Sequence, residues 1–130
     1  MDIEKPGRAV FLACIMVLLM NFFLFDFMIT EGQSMMPAIR PGTVLVVVRT
    51  AYGIRLPWSE NYLLRWSKPK TGDVVVFFTP RGVVAVKRCG AMFGEDTFFA
   101  LGDNNRESYD SRFYGPVPVD HIIGKVLGIK

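Results

Sequence analysis

"GDVVVFFTPRGVVAVKR", residues 72–88, decides what kind of domain this chain builds. Two runs of β-branched and aromatic residues, 72–78 and 82–88, flank the turn signal Thr79-Pro80-Arg81. That pattern predicts an antiparallel hairpin pairing 73–78 with 83–88. Working outward, the same composition recurs. "TVLVVV" (43–48) follows the turn signal Arg40-Pro41-Gly42, and "DTFFALG" (96–102) and "HIIGKVLGI" (121–129) read as two more strands. The glycines of the last predict a bend or bulge. No amphipathic helical pattern of useful length appears after residue 30. The expectation is a mostly β domain, a small barrel or folded sheet of about a hundred residues, enough to bury one core.

The amino-terminal part differs. The chain is 51% hydrophobic, and the excess is concentrated in Ala9 to Phe25, "AVFLACIMVLLMNFFLF", which carries no charge. As a helix this run spans about 26 Å, and continuing to Ile29 it reaches roughly 31 Å, close to the thickness of a hydrocarbon core. A cleaved secretory signal fits less well, because the run is longer than a usual h-region and the bulky "FDFMITEG" offers no small-x-small cleavage site. A buried core helix would show one apolar stripe, whereas this run is apolar all round. The expected organisation is therefore a membrane anchor, 1–29, and an extracytoplasmic domain, 30–130. Lys5 and Arg8 on the amino side predict a cytoplasmic amino terminus.

Several function classes fall away. Cys14 and Cys89 lie in different parts of the chain and suggest no internal disulfide, and the lone His121 has no partner at metal-ligand spacing. Neither a metal nor a cofactor is expected. The net charge of +3 is modest, and beside an anchor it suits anionic lipid rather than nucleic acid. The segment 51–70, "AYGIRLPWSENYLLRWSKPK", mixes aromatic with basic residues. It fits either a membrane interface or a loop whose aromatics cover the core.

Three elements bear on chemistry. "GQSMMPAIRPG" (32–42) is a poor recipe for a helix or a regular strand, so it is either a turn-rich linker or a loop that presents Ser34 as a nucleophile. Lys87 shares a strand face with Val83 and Ala85. It is either a strand-end lysine in solvent or a desolvated amine whose lowered pKa suits a base. "GDNNRESYDSR" (102–112) is dense in short polar residues that can satisfy one another and form a rigid support. A serine nucleophile needs a base. His121 sits at a plain strand start, so a Ser-Lys pair is the better candidate, and the separation of Ser34 from Lys87 excludes the S-x-x-K arrangement.

"GQSMMPAIRPG", "AYGIR", "GDVVVF", "VAVKR" and the 102–118 stretch "GDNNRESYDSRFYGPVP" together resemble the ordered boxes of bacterial type I signal peptidases, from the membrane segment to about Lys125. The resemblance implies a serine endopeptidase of the bacterial inner membrane, with Ser34 as nucleophile and Lys87 as general base. It implies that Ser108 orients the lysine amine, that Asp110 and Arg112 form a supporting ion pair, and that Gly102 and Asp103 belong to the same support. Gly32, Gln33, Met35, Met36 and Pro37 would border the substrate, and the backbone N–H of Ser34 would serve the oxyanion. The implied substrates are exported preproteins with small residues at positions −1 and −3.

The chain departs from that family in three places. Only "RCGAMFGEDTFFAL" separates Lys87 from Gly102, where the family usually inserts a longer β-rich cap. Gly32 stands where some members carry a serine donor for the oxyanion. Asn105 replaces the arginine usual after Gly-Asp-Asn. A pilin-processing peptidase of the same family is the near alternative, and a non-catalytic anchored β-domain that binds peptides is the distant one.

Overall fold

The structure, a computed structural model, describes residues 6–56 and 58–129. Lys5, one of the two residues that set the expected orientation, lies outside the described residues. Helix α1 (Pro6–Leu24) opens on a proline, which suits a first helical position, and buries none of its residues. It is long and apolar enough to cross a membrane.

The helix ends earlier than composition suggests. Phe25–Ile29 forms strand β1, antiparallel to β2 (Val44–Val48) from Phe25↔Val48 to Ile29↔Val44. Two features favour the strand. The Asp26 carboxylate accepts from the Phe27 N–H at 2.9 Å, a local bond that competes with helix, and the Arg49 N–H donates to the Leu24 carbonyl at 2.8 Å to start the ladder.

The remaining elements are β3 (Gly53–Ile54), β4 (Leu64–Arg65), β5 (Val74–Phe78), β6 (Val84–Phe93), β7 (Thr97–Leu101), α2 (Ser111–Tyr114), β8 (Val117–Pro118) and β9 (Ile122–Val126), the last preceded by a 3-10 turn, Val119–His121. Seven strands form one curled antiparallel sheet in the order β1-β2-β9-β5-β6-β7-β8, while β3 and β4 form a small separate hairpin. The mostly β expectation holds, and the hairpin at 72–88 is present, with Val74↔Arg88 through Phe78↔Val84 in register.

Strand β5 is central, and its uninterrupted apolar run reflects burial on both faces. Val75 and Phe77 enter one apolar cluster with Tyr52, Cys89 and Phe98, and the alternate residues Val74 and Val76 enter another with Met35, Ile39, Leu45 and Val47. The bend expected in the last strand is a bulge. Val76 faces Gly124 but Phe77 faces Ile122, leaving Ile123 as the extra residue. A Cβ at Gly124 would lie 2.6 Å from both Val47 Cγ1 and the Val48 carbonyl oxygen, so glycine lets β9 approach β2 closely.

Strand β6 runs beyond its expected end to Phe93, and Gly94, at φ 73°, turns it into β7. Residues 51–70 place some of their aromatic residues on the core and leave others exposed. Tyr52 and Tyr62 pack on the core, whereas Trp58, Leu63, Leu64 and Trp66 are exposed. His121 lies just before β9, its Nδ1 3.0 Å from the Phe78 carbonyl oxygen.

Candidate active site

Ser34 follows β1 in a loop whose base is closed by two backbone bonds, Thr30 N–H to Thr43 O at 3.0 Å and Gly42 N–H to Thr30 O at 2.8 Å. Within the loop the Ile39 N–H donates to the Met35 carbonyl at 2.9 Å, a single helical turn. Met35 and Ile39 are buried at 4% and 2% exposure, so the flanks of Ser34 are anchored in the core while the serine stays half-buried. The composition that spoils regular structure here produces a held turn.

Lys87 comes from β6, opposite Val75 on β5. The strand pins its backbone and leaves the side chain only 7% exposed. Its Nζ donates to Ser34 Oγ at 2.8 Å. Burial pushes the Lys87 pKa below the usual lysine value, and the Asp110 carboxylate pulls partly the other way. A buried amine on a serine hydroxyl, biased toward its neutral form, can accept that hydroxyl's proton.

The 102–112 loop forms the floor. Asp110 is fully buried and caps α2 by accepting from the Arg112 N–H. Its carboxylate also accepts from Ser108 Oγ at 2.7 Å, the Gly102 N–H at 2.8 Å and the Arg112 guanidinium at 2.5 Å. Burial alone would raise the Asp110 pKa, but these donors outweigh it and hold the carboxyl well below the usual range. Ser111 Oγ accepts from the Ala100 N–H at 2.8 Å, which joins the loop to β7. Asn105 accepts from Arg112 Nη1 at 2.6 Å, so this position contributes a contact to the Arg112 side chain even without an arginine.

Two residues tie floor to nucleophile in a way the sequence did not announce. The Asn104 N–H donates to the Ser34 carbonyl at 2.8 Å, and Asn104 Nδ2 donates to the Gln33 carbonyl at 3.0 Å. Arg88 grips Asp103 through two bonds of 2.8 Å and donates to the Gly72 carbonyl at 2.9 Å. Its place next to Lys87, on the other face of the strand, was the available signal.

A groove of about 480 Å³ opens on Ser34 and Lys87. One wall is Met28, Ile29 and Thr30, and the other is Val84, Ala85 and Val86 of β6. Strand β6 pairs with β5 here but with β7 only from Arg88 onward, so its first half leaves one backbone edge open toward the groove. Of the residues expected to border a substrate, Gly32 and Met35 line the groove with Ser34. Gln33, Met36 and Pro37 lie outside its lining: Gln33 and Pro37 are exposed, and Met36 is half-buried in the turn. Met28 and Ile29 were missed because they read as anchor. Among the described residues, no His, Cys, Asp or Glu cluster could hold a metal ion.

The chain matches the family model described as "Signal peptidase, peptidase S26" over residues 3–97 and 93–129. It is similar to proteins named "Signal peptidase I" in three bacteria. The Helicobacter pylori strain J99 protein is 29% identical over 87% of this chain and 47% of its own length. The Haemophilus influenzae protein is 34% identical over 84% of this chain and 30% of its own length. The Bacillus caldolyticus protein is 28% identical over 95% of this chain and 90% of its own length. The chain thus spans less than half the length of the first two relatives.

Proposed function

Because the chain belongs to the signal peptidase, peptidase S26 family, we propose that it is a membrane-bound serine endopeptidase that removes signal peptides from exported preproteins through a Ser34–Lys87 dyad. One contact supports this above the others: the buried Lys87 amine lies 2.8 Å from Ser34 Oγ. Neutral Lys87 takes the Ser34 proton as Oγ attacks the scissile carbonyl carbon. The resulting ammonium protonates the departing amine, and the acyl group stays on Ser34. Lys87, neutral again, then deprotonates a water as it attacks the acyl carbon. The ammonium returns that proton to Ser34 Oγ as its bond to carbon breaks and the acyl group leaves as a carboxylic acid.

The other residues position these two. The Ser108 proton is committed to Asp110, which leaves its oxygen lone pairs free to accept from the lysine amine. Asp110 and Arg112 fix Ser108, while Asn104 holds the carbonyl of Ser34 itself. The Ser34 N–H has no assigned acceptor among the described residues, which suits a donor to the oxyanion. An extended substrate can pair with the open edge of β6, as in strand addition. Met35, Ile39 and Leu45 crowd the groove beside the nucleophile, which favours small residues at −1 and −3. Helix α1 is separated from the Ser34 loop only by β1, so enzyme and signal peptide meet at one membrane surface.

The test uses the full chain in detergent, with an Ala-x-Ala peptide and a preprotein as substrates. Ser34→Ala and Lys87→Ala each lose roughly three orders of magnitude or more in rate, and neither loss adds to the other. Lys87→Arg fails as well, because a guanidinium stays protonated. Near-normal cleavage by either alanine variant sinks the dyad, and a wild type that binds but never cleaves the peptide points to the non-catalytic alternative.

A further inference from the structure

The Ser34 N–H belongs to the Gln33–Ser34 peptide, and the carbonyl of that same peptide is held from the polar floor. Asn104 Nδ2 donates to the Gln33 carbonyl oxygen at 3.0 Å, and the Met36 N–H donates to it at 3.2 Å from within the turn. The next carbonyl, that of Ser34, accepts from the Asn104 backbone N–H at 2.8 Å. One residue thus holds two consecutive carbonyls, one on each side of the Ser34 Cα. Peptide units are planar, so fixing both restrains the backbone torsions of Ser34 and the direction in which its Cβ leaves the chain. Asn104 is itself held: the Glu107 N–H donates to its carbonyl at 3.0 Å, and Arg88 grips the preceding Asp103.

The Gln33–Ser34 peptide is trans, so its N–H points opposite to its carbonyl. With the carbonyl turned to Asn104, the N–H is turned away from the floor, and Ser34 lines the groove whereas Asn104 does not. A bond accepted by the carbonyl also polarises the peptide and makes its N–H a better donor. Without the Asn104 amide, this peptide has one fewer restraint against rotating its carbonyl toward the groove, where a developing oxyanion would be repelled. Gly32, which also lines the groove, has no side-chain donor to take over. Only the NH2 end of an amide can face a carbonyl, and a carboxylate of the same shape would repel it. We propose, resting on the Ser34–Lys87 chemistry above, that Asn104 is the positioning residue of the oxyanion donor. Its side-chain amide keeps the Ser34 N–H turned into the groove as charge develops on the scissile carbonyl oxygen.

The test compares Asn104→Ala and Asn104→Asp with the wild type, as full chains in detergent, on the Ala-x-Ala peptide. Both variants keep the backbone N–H that holds the Ser34 carbonyl, and Asn104→Asp also keeps the size of the side chain, so it carries the test if Asn104→Ala folds poorly. Outright loss of an oxyanion donor costs about 10²–10³ in kcat, so loss of its positioning should cost at least about tenfold. KM should change little, as for an interaction made in the transition state. Asn104→Asp should fall at least as far as Asn104→Ala. A peptide boronate that forms a tetrahedral adduct on Ser34 should bind both variants at least about tenfold more weakly, while the matching peptide alcohol binds them like the wild type. The rising limb of the pH–rate profile should stay where it is, because Lys87 keeps its surroundings. Near-normal kcat in Asn104→Asp would show that only packing matters and overturn the proposal. Equal weakening of boronate and alcohol, or a shifted pH limb, would overturn it too, by showing a general distortion or an effect through Lys87. Ser34→Ala is run in parallel. A wild type that does not cleave, or a Ser34→Ala variant that does, removes the dyad and this role together. Cleavage that depends on Ser34 but is indifferent to Asn104 removes this role alone.

Discussion

Gly102 and Ser108 touch so closely that a Cβ on Gly102 would lie 2.0 Å from Ser108 Oγ and 2.8 Å from the carbonyl oxygen of Ser34. A glycine thus sets the spacing between the polar floor and the nucleophile's backbone. The nearest atoms belong to groups already committed, Ser108 Oγ to Asp110 and the Ser34 carbonyl to the Asn104 N–H, so neither can yield without breaking a bond.

Gly102→Ala should therefore cost activity far more than a surface substitution would. Overpacking of this kind destabilises by about 1–3 kcal/mol, and the displaced atoms are the Ser108 hydroxyl bound to Asp110 and the backbone carbonyl of Ser34. The expected outcome is a folded protein with a lower Tm and a kcat reduced at least a hundredfold. Thermal melts and peptide kinetics on the same preparation check it. Normal kcat would mean that Ser108 and the Ser34 carbonyl do not need their observed separation.

Lys87 ties activity and stability to pH in the same direction. Burial lowers its folded pKa below the ordinary lysine value, so the neutral amine accumulates as pH rises through that lowered pKa. The rate should climb across that limb, which falls below the range of a free lysine. For stability, the unfolded chain binds the extra proton between the lowered folded pKa and the ordinary value, so resistance to denaturant should also rise with pH in that window. Lys87→Met should abolish the rate and flatten this part of the stability profile. A rate flat from neutral to alkaline pH, with chemistry limiting, contradicts the assignment of Lys87 as base.

Much of this fold was legible because β-branched runs bounded by turn residues have few alternatives. The runs at 43–48, 72–78, 82–88, 96–102 and 121–129 all contain strands. Phe25–Ile29 was not legible, because a strand and a helix end are equally apolar and only the partner β2 decides between them. Ser34 and Lys87 stood out through their boxes, and the structure brings their side chains together. Asn104 and Arg88 did not stand out, because their contacts reach across the fold to Gln33, Ser34 and Asp103, and no local pattern encodes such a reach.

Membrane orientation can be tested with a thiol, but not with the one the domain already carries. Cys89 is 1% exposed, and burial, with Asp73 nearby, pushes its thiol up to about 11, so it is neither accessible nor reactive. Glu95, in the exposed turn between β6 and β7, is the better site. In a Cys14→Ser background, Glu95→Cys should react with a membrane-impermeant maleimide on spheroplasts before lysis. Labelling only after lysis would place the domain in the cytoplasm and reverse the orientation that Arg8 and Lys5 suggest.

Truncation separates the helix from the strand that follows it. A chain beginning at Phe25 loses α1 but keeps β1, its full ladder on β2 and the Met28–Thr30 wall of the groove. It should cleave a soluble peptide at nearly the rate of the full chain in detergent. It should process a membrane-embedded preprotein much more slowly, because enzyme and signal peptide are no longer confined to one plane. A chain beginning at Thr30 removes β1 as well. The β1-side backbone edge of β2 is then bare, Leu45 loses Met28 and Val47 loses Asp26 as ladder partners, and of that wall of the groove only Thr30 remains. That shorter chain should have a lower Tm and lose peptide cleavage itself. Measuring both substrates with all three chains distinguishes confinement from architecture. If the Phe25 chain loses peptide and preprotein cleavage by the same factor, α1 is part of the catalytic fold rather than a tether. If the Thr30 chain cleaves peptide normally, β1 contributes nothing to the groove in which it is seen.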